Sequence, residues 1–334
     1  MYLIIFLLIF NIYIFYIFYR QIQNYGDTAI NIHETTIFTI PSGIGSAELE
    51  LLLINKKIIN SSGKFKWLLR LKPQLLQFKA GTYRLDIGMS LLKMLETFFA
   101  SKETQFSLLF IEGSSFEDWK KILRQAPYLK QTIKNQSSCK LKKQVYLQTY
   151  KSLEGLFYPD TYYYTAKVTD IDILKRAHKK MLMVIEYEWQ KRAENLPYKT
   201  SYEMLIMASI IEKETGSDIE KPKIASVFIN RLNKKMRLQA DPTVIYGLGN
   251  KYRGILYRND LYNKSSYNTY LIVGLPPSPI SMPGRASIKA AAHPDKTNYF
   301  YFVSMGNGKH IFTTNFNDHN LAIKHYRKAK KIKK

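Results

Sequence analysis

Thr200-Ser-Tyr-Glu-Met-Leu-Ile-Met-Ala-Ser-Ile-Ile-Glu-Lys-Glu-Thr215 decides how the rest of the chain is read. Thr200 followed three residues later by Glu203 has the form of a capping box, and Pro197 discourages an earlier helical turn. At about 100° per residue, Leu205, Ile206, Met207, Ala208, Ile210 and Ile211 point in every direction. That is the pattern of a helix enclosed on all sides, the kind found at a domain centre.

The same stretch carries two carboxylates. Glu212 falls in the sector of Ala208 and Ser209, whose small side chains leave room for a crevice, whereas Glu214 follows Ile210 and Ile211. A carboxyl in a partly dry crevice has its proton affinity raised, as a general acid near neutral pH requires. Glu212 is therefore the acid candidate. The alternative is that Glu212, Lys213 and Glu214 are the polar end of a helix emerging into solvent.

The chain's 334 residues suffice for two domains with real cores. The formal charge of +24, from 50 Lys+Arg against 26 Asp+Glu, suggests an anionic partner. The lysines are scattered, however, with a run only at Lys328-Ala-Lys-Lys-Ile-Lys-Lys334, and no nucleic-acid partner is expected. The single cysteine, Cys139, permits no internal disulfide.

Residues 2–19 are an unbroken run of Ile, Leu, Phe and Tyr with one Asn, long enough to cross a ~30 Å hydrocarbon layer. Arg20-Gln-Ile-Gln-Asn-Tyr offers no small-residue cleavage site, so the run reads as an uncleaved anchor. Charge alone leaves its orientation open, because the first basic side chain follows the span.

From residue 36 to 123 one pattern occurs three times: apolar strand, glycine turn, serine cap, helix. The turns are at Gly43, Gly88 and Gly113 and the caps at Ser46, Ser90 and Ser114. No lysine–serine pair follows these glycines, so they read as turns and not as a phosphate loop. Residues 126–150 are polar, basic and aperiodic, which reads as a linker.

Leu153-Glu-Gly-Leu-Phe-Tyr-Pro-Asp-Thr-Tyr162 combines aromatic rings with the carboxylates Glu154 and Asp160. Tyrosines such as Tyr162 beside acidic acceptors suit sugar rings, which stack and hydrogen-bond at once; an aromatic turn closing the core is the alternative. Pro222 opens a further helix, and Asp241-Pro-Thr-Val-Ile-Tyr-Gly247 reads as an Asp241 cap, Pro242 at the first helical position and a short helix. Four prolines make 274–284 irregular, which in a compact domain means a binding loop or disorder. Residues 298–303 and 310–313 form a hairpin across Gly306-Asn-Gly-Lys309, and 317–330 is a closing amphipathic helix.

The six histidines show no paired metal-ligand spacing, so no metal or cofactor is expected. There is no G-x-S-x-G, and Cys139 sits in the basic stretch. Carboxylate chemistry in an aromatic, polar cleft remains, and it points to glycosidic bonds.

The ordered motifs Leu153-Glu-Gly-x-x-x-Pro-Asp-Thr-Tyr162, Ala208-Ser-Ile-Ile-Glu-Lys-Glu-Thr215, Val227-Phe-Ile-Asn-Arg-Leu232, Leu238-Gln-Ala-Asp-Pro-Thr-Val-Ile-Tyr-Gly247, Tyr267-Asn-Thr-Tyr270, Gly274-Leu-Pro-Pro277 and Ala290-Ala-Ala-His-Pro294 resemble those of the endolytic murein transglycosylases, the YceG-like family. The resemblance implies a mixed α+β chain with a transmembrane anchor at 1–20 and a LysM-like α+β subdomain with a connecting strand–helix unit at 36–125. A linker at 126–150 and a catalytic domain at 151–330 follow.

It also implies that Glu212 is catalytic and that the bond cut joins N-acetylmuramic acid to N-acetylglucosamine within glycan strands, leaving 1,6-anhydromuramic ends and limiting strand elongation. One acid then suffices, because the muramic C6 hydroxyl attacks internally where ordinary glycosidases use a second carboxylate. Gln239, Asp241, Thr243, Tyr267, Asn268 and Tyr270, with Glu154, Asp160 and Tyr162, are the expected sugar contacts. The expected partners are peptidoglycan strands, the inner membrane and peptidoglycan synthases, with the catalytic domain on the periplasmic or cell-wall side.

Ser278 departs from the glycine usual in the family at that position. His293 before proline reads as a helix-end cap or a substrate contact. Two other classes stay open: a silent glycan-binding scaffold, and a two-carboxylate hydrolase using Glu214 or Asp241.

Overall fold

The computed structural model describes residues 2–134, 136–306 and 308–332, the side chains from 328 onward excepted. The turn residue Asn307 and the basic run from Lys328 therefore lie outside the described side chains. The chain forms two compact units, one of residues 1–106 with 163–167 and the other of 107–162 with 168–334.

The first unit begins with α1 (Tyr2–Asp27), long and apolar enough to cross a membrane, whose apolar window is wholly exposed. Its last turns belong to the unit's interior. Ile22 is fully buried, and a Cβ on Gly26 would meet Leu68 Cδ1 at 3.1 Å. The strands β1 (Thr36–Ile40) and β2 (Gly81–Leu85) pair antiparallel, with Phe38 opposite Tyr83.

Between them run α2 (Ser46–Asn55) and α3 (Lys64–Leu71), and α4 (Leu91–Phe99) follows β2. Alternation along the strands sends Phe38, Ile40, Tyr83 and Leu85 inward, where the Phe98 ring lies 5.8 Å from Phe38 and 4.8 Å from Tyr83. Gly43, Gly88 and Gly113 all take positive φ, as the turn reading requires. Ser90 caps α4, but Gly45 precedes α2 and Ser115 caps α5 (Phe116–Gln125), each one residue from the expected serine. The Ser115 cap is completed by Asp118, which gives the chain a reciprocal box there.

Residues 126–150 are not a bare linker. They contain α6 (Ser138–Gln144), and Leu141, Val145 and Leu147 are buried. The fully buried Asp170 carboxylate accepts the backbone amides of Thr132 and Ile133 at 2.8 and 3.0 Å. That tie across 38 residues holds the segment down, and no local periodicity could reveal it.

The remaining elements are β3 (Phe106–Leu109), β4 (Thr161–Tyr164), α7 (Asp170–Gln190), α8 (Ser201–Glu214), α9 (Lys221–Asn233), α10 (Asp241–Leu248), α11 (Arg285–Ala292), the hairpin β5 (Tyr301–Ser304) and β6 (His310–Thr313), and α12 (Phe316–Ile332). α8 is the centre of the second unit, with α7, α9, α10 and α11 packed around it. Every residue from Met204 to Ile211 is buried. Thr200 caps it by accepting the Glu203 amide, while the Glu203 carboxylate accepts the Lys199 amide one residue early.

The proline-rich segment 274–284 is irregular yet ordered and buried. Ser209 Oγ accepts the Ile280 amide at 3.0 Å, Ser281 Oγ donates to the Ser209 carbonyl, and Ile280 and Met282 enter the core. Prolines suit this role because they leave fewer amides needing partners. Gly155, at φ +77°, faces Pro279 so closely that a Cβ would overlap its ring.

Candidate active site

The site forms where the C-terminal end of α8 meets two loops. The Glu212 side chain is 7% exposed; its Oε2 accepts the Gly284 amide at 2.8 Å, and Lys221 Nζ lies 3.4 Å from Oε1. Lys221, at the start of α9, is itself 2% exposed and also reaches Asp218 at 2.8 Å. Burial alone would lower the Lys221 pKa, but the Asp218 hydrogen bond and the charges of Glu212 and Asp218 outweigh it and hold the ammonium above its usual range. The two contacts fix the Glu212 carboxyl from both oxygens.

The second loop is the turn after β3. The Gly113 amide donates to the Met282 carbonyl at 2.8 Å, and the Met282 amide donates to Ser114 at 2.9 Å, which zips the turn to the proline-rich segment. Lys213 Nζ donates to the Gly113 carbonyl at 3.1 Å, and a Cβ on Gly113 would stand 3.5 Å from Glu212 Cγ. Glu112 lies against Gly284, its carboxyl occupying the space a Cβ would take. Burial raises the Glu112 pKa, the nearby Glu212 charge raises it further, and Lys221 opposes both. Two carboxyls and one ammonium thus converge where Gly284 and Gly113 let the chains approach.

Glu214 points elsewhere. With Arg231, Gln239, Asp241 and Tyr270 it lines a cavity of about 900 Å³ that also includes Tyr301 and Phe316. Burial pushes Glu214 up to about 8, with the Asp241 charge adding and Arg231 subtracting. The Tyr270 hydroxyl donates to Asp241 Oδ1 at 2.6 Å, and Arg231 Nη1 donates to Gln239 Oε1 at 3.3 Å. Gln239 holds φ +52°, and its amide donates to the Thr269 carbonyl. Asp241 is the first residue of α10, Ala240 precedes it, and no side chain caps that helix.

The other expected contacts have structural partners. Thr243 and Asn268 are fully buried; Thr243 Oγ1 donates to the Ala240 carbonyl, and the Asn268 amide group donates to Leu261 and Asn263. Asp160 pairs with Lys180, and the buried Tyr162 hydroxyl donates to the Tyr158 carbonyl. The Tyr267 hydroxyl is 2.7 Å from Ser278 Oγ, which also contacts the Pro279 carbonyl, so serine is accommodated here at a fully buried position. Glu154 accepts the Phe116 amide at 2.9 Å, and burial pushes it up to about 7. His293 ends α11, with Nε2 3.6 Å from the buried Glu188.

Sequence reading missed Glu112, Lys221 and Gly284. Glu112 stood in plain view before a turn glycine, Lys221 before a helix-opening proline, and neither neighbourhood carries local periodicity. Among the described residues no group of three His, Cys, Asp or Glu side chains could hold a metal ion.

A buried carboxyl clamped by a lysine and a backbone amide at the end of a central helix, in a mixed α+β unit, has the character of an acid–base enzyme site. Comparison with known proteins gives the family. A YceG-like family model matches residues 38–325. A Bacillus subtilis (strain 168) protein named endolytic murein transglycosylase is 32% identical over 336 residues, covering 94% of this chain and 89% of that one. A protein of the same name from Streptococcus pneumoniae R6 is 33% identical over 175 residues, 50% of this chain and 31% of its own length. The crystal structure of a yceG-like protein from Listeria monocytogenes superposes with a TM-score of 0.54 at 32% identity, covering 86% of this chain and 99% of that one. The chain belongs to the YceG-like family.

Proposed function

We propose that this protein is a membrane-anchored lytic transglycosylase that cuts within peptidoglycan glycan strands, with Glu212 as its acid and base. The observation that carries the reading is the buried Glu212 carboxyl gripped by Lys221 and the Gly284 amide, in a chain whose relatives are named endolytic murein transglycosylases.

In the reaction, protonated Glu212 gives its proton to the oxygen bridging muramic C1 to the next sugar, and that C1–O bond breaks. The muramic C6 oxygen bonds to C1, and its proton passes to the Glu212 carboxylate. The acid is regenerated, no water is consumed, and the new end is a 1,6-anhydro ring. Lys221 and Gly284 act as positioning groups, holding the carboxyl in one orientation through both halves of the cycle. The cavity of Glu214, Gln239, Asp241 and Tyr270 supplies polar and aromatic groups of the kind that hold a sugar.

In this reading α1 serves as the anchor, and the β1-α2-α3-β2 order of the first unit supports a LysM-like glycan-binding module. The domain beyond the anchor works on the cell-wall side, where cutting new strands limits their length.

Mass analysis of the ends released from glycan strands tests the chemistry. Anhydro ends from the wild type, and none from Glu212→Gln, are expected; wild-type rates from Glu212→Gln would refute the assignment. The nearness of Glu112 to Glu212 favours one rival, hydrolysis by two carboxylates. That rival produces reducing ends instead.

A further inference from the structure

The first unit carries a surface that catalysis does not use. Residues 51–85 hold eight lysines and arginines and no aspartate or glutamate. Within that segment α3 buries Phe65, Leu68 and Leu69 and turns Lys66, Trp67 and Arg70 outward, positions three and four apart that share one face.

Trp67 is 43% exposed, and the Arg70 guanidinium lies 4.6 Å above its ring. Its other neighbour is telling: the Phe18 ring meets Trp67 edge-on at 5.3 Å. Phe18 is in the last turn of the apolar run that ends at Tyr19, so α3 crosses α1 at the depth where a membrane span gives way to water. α1 continues unbroken into the unit's core through Ile22, which fixes the height of α3 relative to the span. Neither Lys66 nor Arg70 makes an ion pair with a described residue, and Glu50 is the one acid that lines with them a cavity of about 320 Å³.

We propose that α3 lies on the bilayer in which α1 is embedded, with Trp67 at headgroup level and Lys66 and Arg70 on the phosphates of anionic lipids. Indole favours the interface between hydrocarbon and water, and each basic side chain near a negative surface adds attraction. Charge complementarity and the fixed height select lipid over a soluble partner. The docked face would hold the whole first unit in one orientation to the membrane and not as a ball on a tether. The inference rests on α1 being a membrane anchor.

The full-length protein, reconstituted in vesicles of phosphatidylcholine alone or mixed with phosphatidylglycerol, provides the test. Trp67 emission is isolated as the difference between wild type and Trp67→Phe. Lipids brominated near the headgroup should quench that component, about twofold more in the anionic mixture, and Lys66→Gln and Arg70→Gln should each weaken docking about fivefold. A Trp67 component untouched by brominated lipid but quenched by aqueous acrylamide, in protein that still floats with the vesicles, overturns docking and leaves the anchor standing. Protein that does not float overturns both. A response to soluble polyphosphate that equals the lipid response overturns the choice of partner.

Discussion

The two units handle charge in opposite ways. Apart from Thr82, every buried polar or charged residue among those described lies in the second unit, where Glu154, Asp170, Glu188, Lys221, Arg231 and Asn268 are all enclosed. The first unit buries apolar side chains and keeps its lysines and arginines outside. A buried charge costs several kcal/mol unless it is paired or hydrogen-bonded, so a chain that encloses many of them does so with dedicated partners. Stability of the first unit should follow packing. In the second it should follow packing plus a set of polar ties.

The largest effect expected of a single change is on rate. Glu212→Gln keeps the shape of the carboxyl and removes its proton transfer, and strand cleavage should fall about 10²–10⁴-fold with little change in the unfolding midpoint. Phe98→Ala strikes the other unit, removing the ring between Phe38 and Tyr83. It should cost about 3–5 kcal/mol, with faster amide exchange in β1 and β2 and unchanged protection in α8. Equal losses of protection in both places would break the contrast.

Two glycines divide strain from function. Gly155→Ala forces a Cβ into the rigid Pro279 ring at φ +77°, and a destabilisation of about 2–3 kcal/mol is expected by thermal unfolding. At Gly284 the group in the way is the mobile end of Glu112, and φ is an ordinary −80°. Gly284→Ala should therefore cost less than about 1 kcal/mol in stability yet slow cleavage about tenfold, because the displaced Glu112 and the shifted amide both border Glu212.

A pH dependence is also expected. Burial raises Glu154 to about 7, so the folded state holds its proton where the unfolded state has lost it. Its contribution is fully present below the unfolded value near 4.5 and is lost as pH rises towards 7. Relative to wild type, Glu154→Gln should gain about 2 kcal/mol of unfolding free energy between pH 5 and 8, read from urea midpoints. No relative gain would mean that the carboxyl is solvated.

Much of this was legible in the sequence, and for identifiable reasons. The enclosure of α8 was written in its all-round apolar pattern, and the three turns in glycines that take positive φ. Spacing also separated Glu212 from Glu214, which face a clamped crevice and a wide cavity respectively. What escaped notice depends on contacts between distant residues. The Asp170 tie reaches across 38 residues, the proline-rich segment is ordered by Ser209, 71 residues away, and Glu112 meets Glu212 across a hundred positions. Thr243, Asn268, Asp160 and Tyr162 have partners within the protein that motif density alone does not reveal.

The central claim is that one carboxyl hands a proton out and takes one back while the sugar closes on itself. Digesting glycan strands in water enriched in heavy oxygen tests it directly. The account predicts new muramic ends with no label and a mass one water below that of a hydrolysed end. Labelled reducing ends, formed at a rate that depends on Glu112 as strongly as on Glu212, would contradict it.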